Sequence, residues 1–125
     1  MDTIIKVPFV TIDTLIALLE NNVLNYGSRP AIQTIDVVLS YEEFYKRVLL
    51  LSYNLAEKGC RPQQRVGILM ERSLEMVTGI FGILKFGCSY VPTDPSYPDS
   101  RIRGLLLDAE VTHVVTSSYY KDRIE

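Results

Sequence analysis

The chain has 125 residues, 47% hydrophobic and 22% charged, and its 13 Lys and Arg against 15 Asp and Glu give a formal net charge of −2. That length is one ordinary domain, long enough to bury about 65–70% of its unfolded surface, which excludes a disordered chain and a miniprotein built on disulfides. The slightly acidic balance leaves little from which to build the basic face of a nucleic-acid binder.

The first residues, Met1-Asp2-Thr3-Ile4-Ile5-Lys6, lack the basic-then-apolar order of a signal peptide, and the apolar run Leu15 to Leu19 is too short to span a bilayer. A soluble, cytoplasmic chain with no membrane partner is expected. Phe9 to Val23 has helical spacing, with Ile12, Leu15, Ile16 and Leu19 on one side and Thr11 and Asp13 as candidate caps. Ala31 to Thr34 and Val37 to Leu39 read as a small hairpin turning at Ile35-Asp36. Ser40-Tyr41-Glu42-Glu43 has the form of a capping box, opening a helix that runs to about Lys58 and stops at Gly59.

The middle of the chain changes rhythm. Arg65 to Met70 is apolar without alternation, as in a strand covered on both faces. Ser73 caps a predicted helix through Phe86, ended by Gly87, and Cys88 to Pro92 forms a second strand. Thr93 to Tyr97 is a Pro-rich loop, Ile102 to Leu107 a further helix, and His113 to Thr116 a third strand. Strand, helix, strand, helix, strand predicts an α/β fold. Its layered, mostly parallel sheet is flanked by helices, and a small N-terminal hairpin precedes it.

Isolated residues offer little chemistry. The single histidine, His113, has no ligand-spaced or triad-forming partner in Cys60 or Cys88, which are themselves compatible with one bridge although nothing in the sequence points to an oxidising compartment. No glycine occupies the strand-to-helix turn Met70-Glu71-Arg72-Ser73, where a phosphate loop would need them. Gly79 and Gly82 are expected to let their helix approach the sheet. Glu42/Glu43 and Asp94/Asp99 are assigned to caps and turns. Arg101 and Arg103 are assigned to a solvated face, and the eight tyrosines to packing with the hydroxyl at the rim. Catalytic, cofactor-binding and metal-binding residues are therefore predicted as none.

One stretch carries more than pattern: Gly82-Ile83-Leu84-Lys85-Phe86-Gly87-Cys88-Ser89-Tyr90-Val91-Pro92-Thr93-Asp94-Pro95-Ser96-Tyr97-Pro98. It resembles the second core motif of the amino-acid adenylation domains of nonribosomal peptide synthetases, L-K-A-G-x-A-Y-V-P-I-D-P-x-Y-P. Arg101-Ile102 and Asp108-Ala109 fall where that family carries its R-I and D-A pairs. Leu39-Ser40-Tyr41-Glu42-Glu43-Phe44 resembles the first core motif, and Arg65 to Met76 the strand-turn-helix segment between them. The resemblance runs from about Thr11 to Thr116. Phe86, Cys88, Ser89 and Thr93 depart from the usual residues at what are expected to be packing positions.

The resemblance implies the first portion of the large N-terminal subdomain of an adenylate-forming enzyme, residues 1–125 being a truncated adenylation domain. The parent reaction it implies is ATP-dependent aminoacyl-AMP formation and transfer of the acyl group to a carrier-protein phosphopantetheine thiol. ATP and Mg are thus implied for the parent domain, and no cofactor for these residues alone. The family's phosphate loop, substrate-amine anchor, ribose-binding aspartate and late catalytic lysine have no counterpart here, so the chain alone is expected to be inactive. Its expected partner is the remainder of an adenylation domain or synthetase. The alternative is a free-standing module that dimerises or docks through apolar faces of the 41–58 and 74–86 helices. An initiating methionine fits a loading module, a stand-alone protein or a piece cut from a longer chain.

Overall fold

The structure is a computed structural model that describes residues 3 and 14–124. Helix α1 (Leu15–Tyr26) starts at Thr14, whose hydroxyl accepts from the Ala17 amide at 3.0 Å. Phe9, Thr11, Ile12 and Asp13, expected at the helix start, lie outside the described residues. The helix continues past the predicted Val23 because the Asn25 side chain donates to the Asn21 carbonyl at 3.0 Å, holding the last turn in register. Strands β1 (Pro30–Gln33) and β2 (Val38–Ser40) pair antiparallel as the expected hairpin.

Helix α2 (Tyr41–Glu57) opens on the capping box: the Ser40 hydroxyl accepts from the Glu43 amide at 3.1 Å, and the Glu43 carboxylate accepts from the Ser40 amide at 3.0 Å. Gly59 stops it at φ +83°, a backbone state open to glycine at no steric cost. The next elements are β3 (Arg65–Leu69), α3 (Leu74–Lys85), β4 (Ser89–Thr93), α4 (Asp99–Asp108), β5 (His113–Thr116) and a 3-10 turn at Lys121–Arg123. Several boundaries move by a residue or more from expectation, and two of the shifts have a visible cause. Thr93 belongs to β4, not to the loop, because its hydroxyl donates to the Ile68 carbonyl at 2.8 Å and its backbone pairs with Leu69. Helix α4 reaches back to Asp99, since the amides of Arg101 and Ile102 both bond the Pro98 carbonyl.

Strands β3, β4 and β5 form a parallel sheet in the order β4-β3-β5. Every residue of β3 after Arg65 is buried, as its lack of alternation requires. Its two faces are covered by different helices. On one, Ile68 and Val115 lie beneath Gly79 of α3; on the other, Gly67 and Val114 meet Leu106 of α4. Three apolar clusters follow: one under α3 around Val66, Ile68 and Ile83; one under α4 around Leu69, Ile102 and Tyr120; and one joining α1, the hairpin, α2 and α3 around Phe44 and Val48.

Gly79 does let α3 approach the sheet. Gly82 instead faces α2, where a Cβ would lie 2.5 Å from Leu51 Cδ2. The expected packing roles hold for Cys88 and Thr93, which are buried, and for the half-buried Phe86; Ser89 is exposed, because it sits at the open start of an edge strand.

Candidate functional site

The strand order fixes where a site can form. The segment leaving β3 turns to α3 on one face of the sheet, and the segment leaving the adjacent β4 turns to α4 on the other. Loops that part in this way open a crevice beyond the carboxyl ends of the strands, the usual ligand position in parallel α/β sheets. A cleft of about 860 Å³ occupies that place. Its walls are Met70, Glu71 and Arg72 after β3; Pro92 to Tyr97 at the end of β4; Tyr119, Tyr120 and Arg123 after β5; and Met76 of α3.

The turn after β3 is short because Ser73 serves both sides of it. Its hydroxyl donates to the Glu71 carbonyl at 3.0 Å and accepts from the Met76 amide at 3.1 Å, capping α3. The Pro-rich turn after β4 is tied by Asp94, whose carboxylate accepts from the Ser96 amide at 2.9 Å while its carbonyl accepts from the Tyr97 amide at 3.0 Å. The bonding from Ser96, with the Arg72 charge nearby, holds the Asp94 carboxyl below its ordinary value.

Arg123 closes the third side as a clamp. Nη1 and Nη2 donate to the carbonyls of Pro95 and Tyr97, each at 2.7 Å, and Nε donates to Asp99 Oδ1 at 2.6 Å. Asp99 thus anchors an arginine, while the cap position of α4 belongs to Pro98. The Tyr120 hydroxyl donates to Glu71 Oε1, and that carboxylate pushes the phenol up to about 12. The Arg101 guanidinium carbon lies over the Tyr97 ring, 4.0 Å from its centroid.

Apart from Tyr119 in its wall, the other sequence candidates lie away from the cleft. His113 bonds the Thr112 hydroxyl through Nδ1 and the Lys58 carbonyl through Nε2, both at 2.9 Å. Among the described residues no group of three His, Cys, Asp or Glu is placed to hold a metal ion. Cys60 and Cys88 are both buried, with their sulfurs 3.8 Å apart. Tyr45 keeps its hydroxyl at the rim by donating to Glu20, whereas Tyr53 and Tyr119 are largely exposed. Arg103 is exposed as expected. Glu71, Tyr120 and Arg123 carry no site assignment from the sequence: Glu71 lies in a turn that lacks glycine and that enters the resemblance only as part of a strand-turn-helix segment, and the other two follow the last predicted strand.

An α/β domain with its crevice at the parting of two crossovers belongs to the broad class that handles ligands with loops at strand carboxyl ends. The sequence model of the AMP-binding enzyme family matches residues 19–125, and the chain belongs to that family. Within it, the chain corresponds to the N-terminal part of a nonribosomal peptide synthetase adenylation domain. It is 41% identical over 106 residues to tyrocidine synthase 3 of Brevibacillus parabrevis, covering 85% of this chain and 2% of that protein. It is 39% identical over 119 residues to gramicidin S synthase 2 of Brevibacillus brevis, covering 95% of this chain and 3% of that protein. The nonribosomal peptide synthetase FmoA3, solved with α-methyl-L-serine-AMP, superposes with a TM-score of 0.84 at 28% identity, over 99% of this chain and 14% of that one. The chain thus spans a few per cent of the length of these curated synthetases.

Proposed function

We propose that these residues serve an amino-acid-activating ligase of nonribosomal peptide synthesis as structural frame, and that the 125-residue chain by itself forms no aminoacyl adenylate. The parent reaction in this reading is attack of an amino-acid carboxylate on the α-phosphate of ATP, followed by transfer of the acyl group to a carrier-protein thiol. A cytoplasmic setting and the remainder of the adenylation domain as partner belong to the same reading.

The observation that carries it is the state of the polar groups in and behind the cleft wall. Glu71 accepts from Tyr120, Asp94 from Ser96, Asp99 from Arg123, and the Thr93 and Thr116 hydroxyls turn back onto the Ile68 and Leu69 carbonyls. A magnesium triphosphate needs backbone amides in a glycine-rich loop and oxygens free to meet the cation. The residues present do not fit that group on their own. They do fit a rigid wall that holds its loops in place.

ATP–pyrophosphate exchange with a panel of amino acids tests the reading. The isolated chain is expected to give background exchange only, and a soluble chimera carrying this chain in place of the matching segment of a gramicidin S synthase 2 adenylation domain is expected to retain exchange. Exchange by the isolated chain, or a soluble and inactive chimera, would overturn it.

A second reading, self-association through apolar helix faces, keeps one observation. The α3 residues are all covered or half-covered within the chain apart from Glu75, but Leu50 and Tyr53 of α2 are each 61% exposed. Light scattering on a concentrated sample tests it, and a clean monomer rejects it.

A further inference from the structure

At the amino end of the sheet, opposite the cleft, two helices end in the same way. At α2 the Gly59 amide bonds the Ala56 carbonyl and the Cys60 amide bonds the Leu55 carbonyl; at α3 the Gly87 amide bonds Leu84 and the Cys88 amide bonds Ile83. Both are Schellman motifs, with glycines at φ +83° and +91°. In this motif the residue after the glycine turns its side chain inward against the helix it has just left. Here that residue is a cysteine both times.

Because α2 and α3 end side by side, the two inward side chains meet. The sulfurs are 3.8 Å apart, both residues are 5% exposed, and both thiols donate to the Arg61 carbonyl, Cys88 at 3.2 Å and Cys60 at 3.8 Å. Disulfide sulfurs lie about 2.0 Å apart, so closing the bond asks for an approach of about 1.8 Å, within reach of rotation at the two Cα–Cβ bonds. A hollow of about 450 Å³, lined by Thr14, Leu15, Ile16, Leu84, Gly87 and Cys88, reaches the Cys88 member of the pair. That volume exceeds the space one small oxidant such as hydrogen peroxide takes up.

We propose that Cys60 and Cys88 form a reversible intramolecular disulfide on exposure to hydrogen peroxide, locking the end of α2 to the start of β4. One thiolate attacks a peroxide oxygen, the O–O bond breaks, and the departing hydroxide is protonated to water, leaving a sulfenic acid. The second sulfur attacks the sulfenic sulfur, the S–O bond breaks, and hydroxide leaves with the second thiol's proton as water. Two thiols and one peroxide thus give one disulfide and two waters, with two electrons passing from sulfur to oxygen. Burial, and the Cys60 thiol beside it, push Cys88 up to about 11, which keeps its thiolate fraction low and its own attack on peroxide slow. A dithiol restores the reduced pair by exchange.

The test is intact-mass analysis of the 125-residue chain treated with limiting peroxide, under native conditions and in concentrated guanidinium. The folded chain is expected to lose about 2 Da as a monomer on a non-reducing gel, at about tenfold excess over oxygen-added products, and to regain that mass with dithiothreitol. Cys60→Ser and Cys88→Ser are each expected to abolish the loss and to collect added oxygens instead. A folded chain that mainly gains oxygen or couples into dimers would overturn the proposal. So would a product ratio equal to that of the denatured chain, which would show that native geometry does not direct the reaction.

Discussion

Helix α3 carries two glycines three residues apart, and the same substitution at each should have opposite signs. At Gly82 a Cβ would lie 2.5 Å from Leu51 Cδ2 and 2.8 Å from its Cβ and Cγ. Carbon atoms pack at about 3.5–4.0 Å, so about 1 Å must be found. Rotation of the Leu51 side chain moves Cδ2, but its Cβ is fixed to the α2 backbone, so the helices must part. Overpacking of this kind costs about 1–3 kcal/mol, and alanine's better helix propensity offsets about 1 kcal/mol of it. Gly82→Ala should therefore destabilise by up to about 2 kcal/mol, a fall in Tm of up to about 10 °C. At Gly79 the nearest atoms would be Val115 Cγ1 at 3.6 Å and Ile68 Cδ1 at 3.9 Å, which is ordinary contact. Gly79→Ala should keep the propensity gain and stabilise by up to about 1 kcal/mol. Urea unfolding followed by circular dichroism reads both. In a double-mutant cycle, Leu51→Ala should relieve part of the Gly82→Ala cost but not all, since the Leu51 Cβ remains. Shifts of the same sign at the two glycines would refute the assignment of Gly82 to the α2 contact.

Glu20 of α1 accepts from Lys85 of α3 at 2.6 Å and from the Tyr45 hydroxyl of α2, and these bonds hold its carboxyl below the ordinary 4.5. A depressed carboxyl contributes stability above its unfolded value and loses it as pH falls through the folded one. The urea midpoint should thus hold from pH 7 to about 5 and fall below about 4.5, with Glu20→Gln losing less on acidification. With side chains 37% and 30% exposed at Glu20 and Lys85, the effect should stay under about 1 kcal/mol. Glu110 sits at φ +55° in the position glycine holds at the ends of α2 and α3, its amide bonding Leu107. Glu110→Gly should stabilise by up to about 1 kcal/mol in the same urea assay. Arg123→Met removes three bonds to Pro95, Tyr97 and Asp99. Amide exchange should rise at Tyr97 and Arg101 while the β3 amides keep their protection, and uniform loss of protection would argue against a local clamp.

What could be read from the sequence was what a few neighbouring residues decide. The Ser40/Glu43 box, the stops at Gly59 and Gly87 and the unbroken apolar run of β3 each depend on side chains within one turn or one strand, and each lies where its pattern puts it. The cleft was half legible. Both its loops, Met70 to Ser73 and Thr93 to Tyr97, were located, but their meeting depends on β4 and β5 flanking β3, and chain order does not dictate that arrangement. Arg123 contacts residues 24 to 28 positions away, and Cys60 meets Cys88 across 28. Contacts at such separation carry no local signature.

The same division explains why the two ends of the sheet differ. At the amino end the chain arrives from helix termini, and a helix terminus must satisfy its last carbonyls. Schellman turns do this at α2, α3 and α4, the Arg65 guanidinium bonds the Ala109 carbonyl at 2.9 Å, and His113 bonds the Lys58 carbonyl. That end is closed by backbone bonding and has little latitude to change. At the carboxyl end the chain leaves strands toward opposite faces, so the loops diverge and side chains such as Arg123, Asp94 and Tyr120 must hold them. Side-chain ties can vary in sequence without disturbing the sheet, which is why ligand chemistry collects at this end in parallel folds. The cysteine pair lies at the closed end. A bond between them would stiffen the frame beneath the cleft without altering any group that lines it.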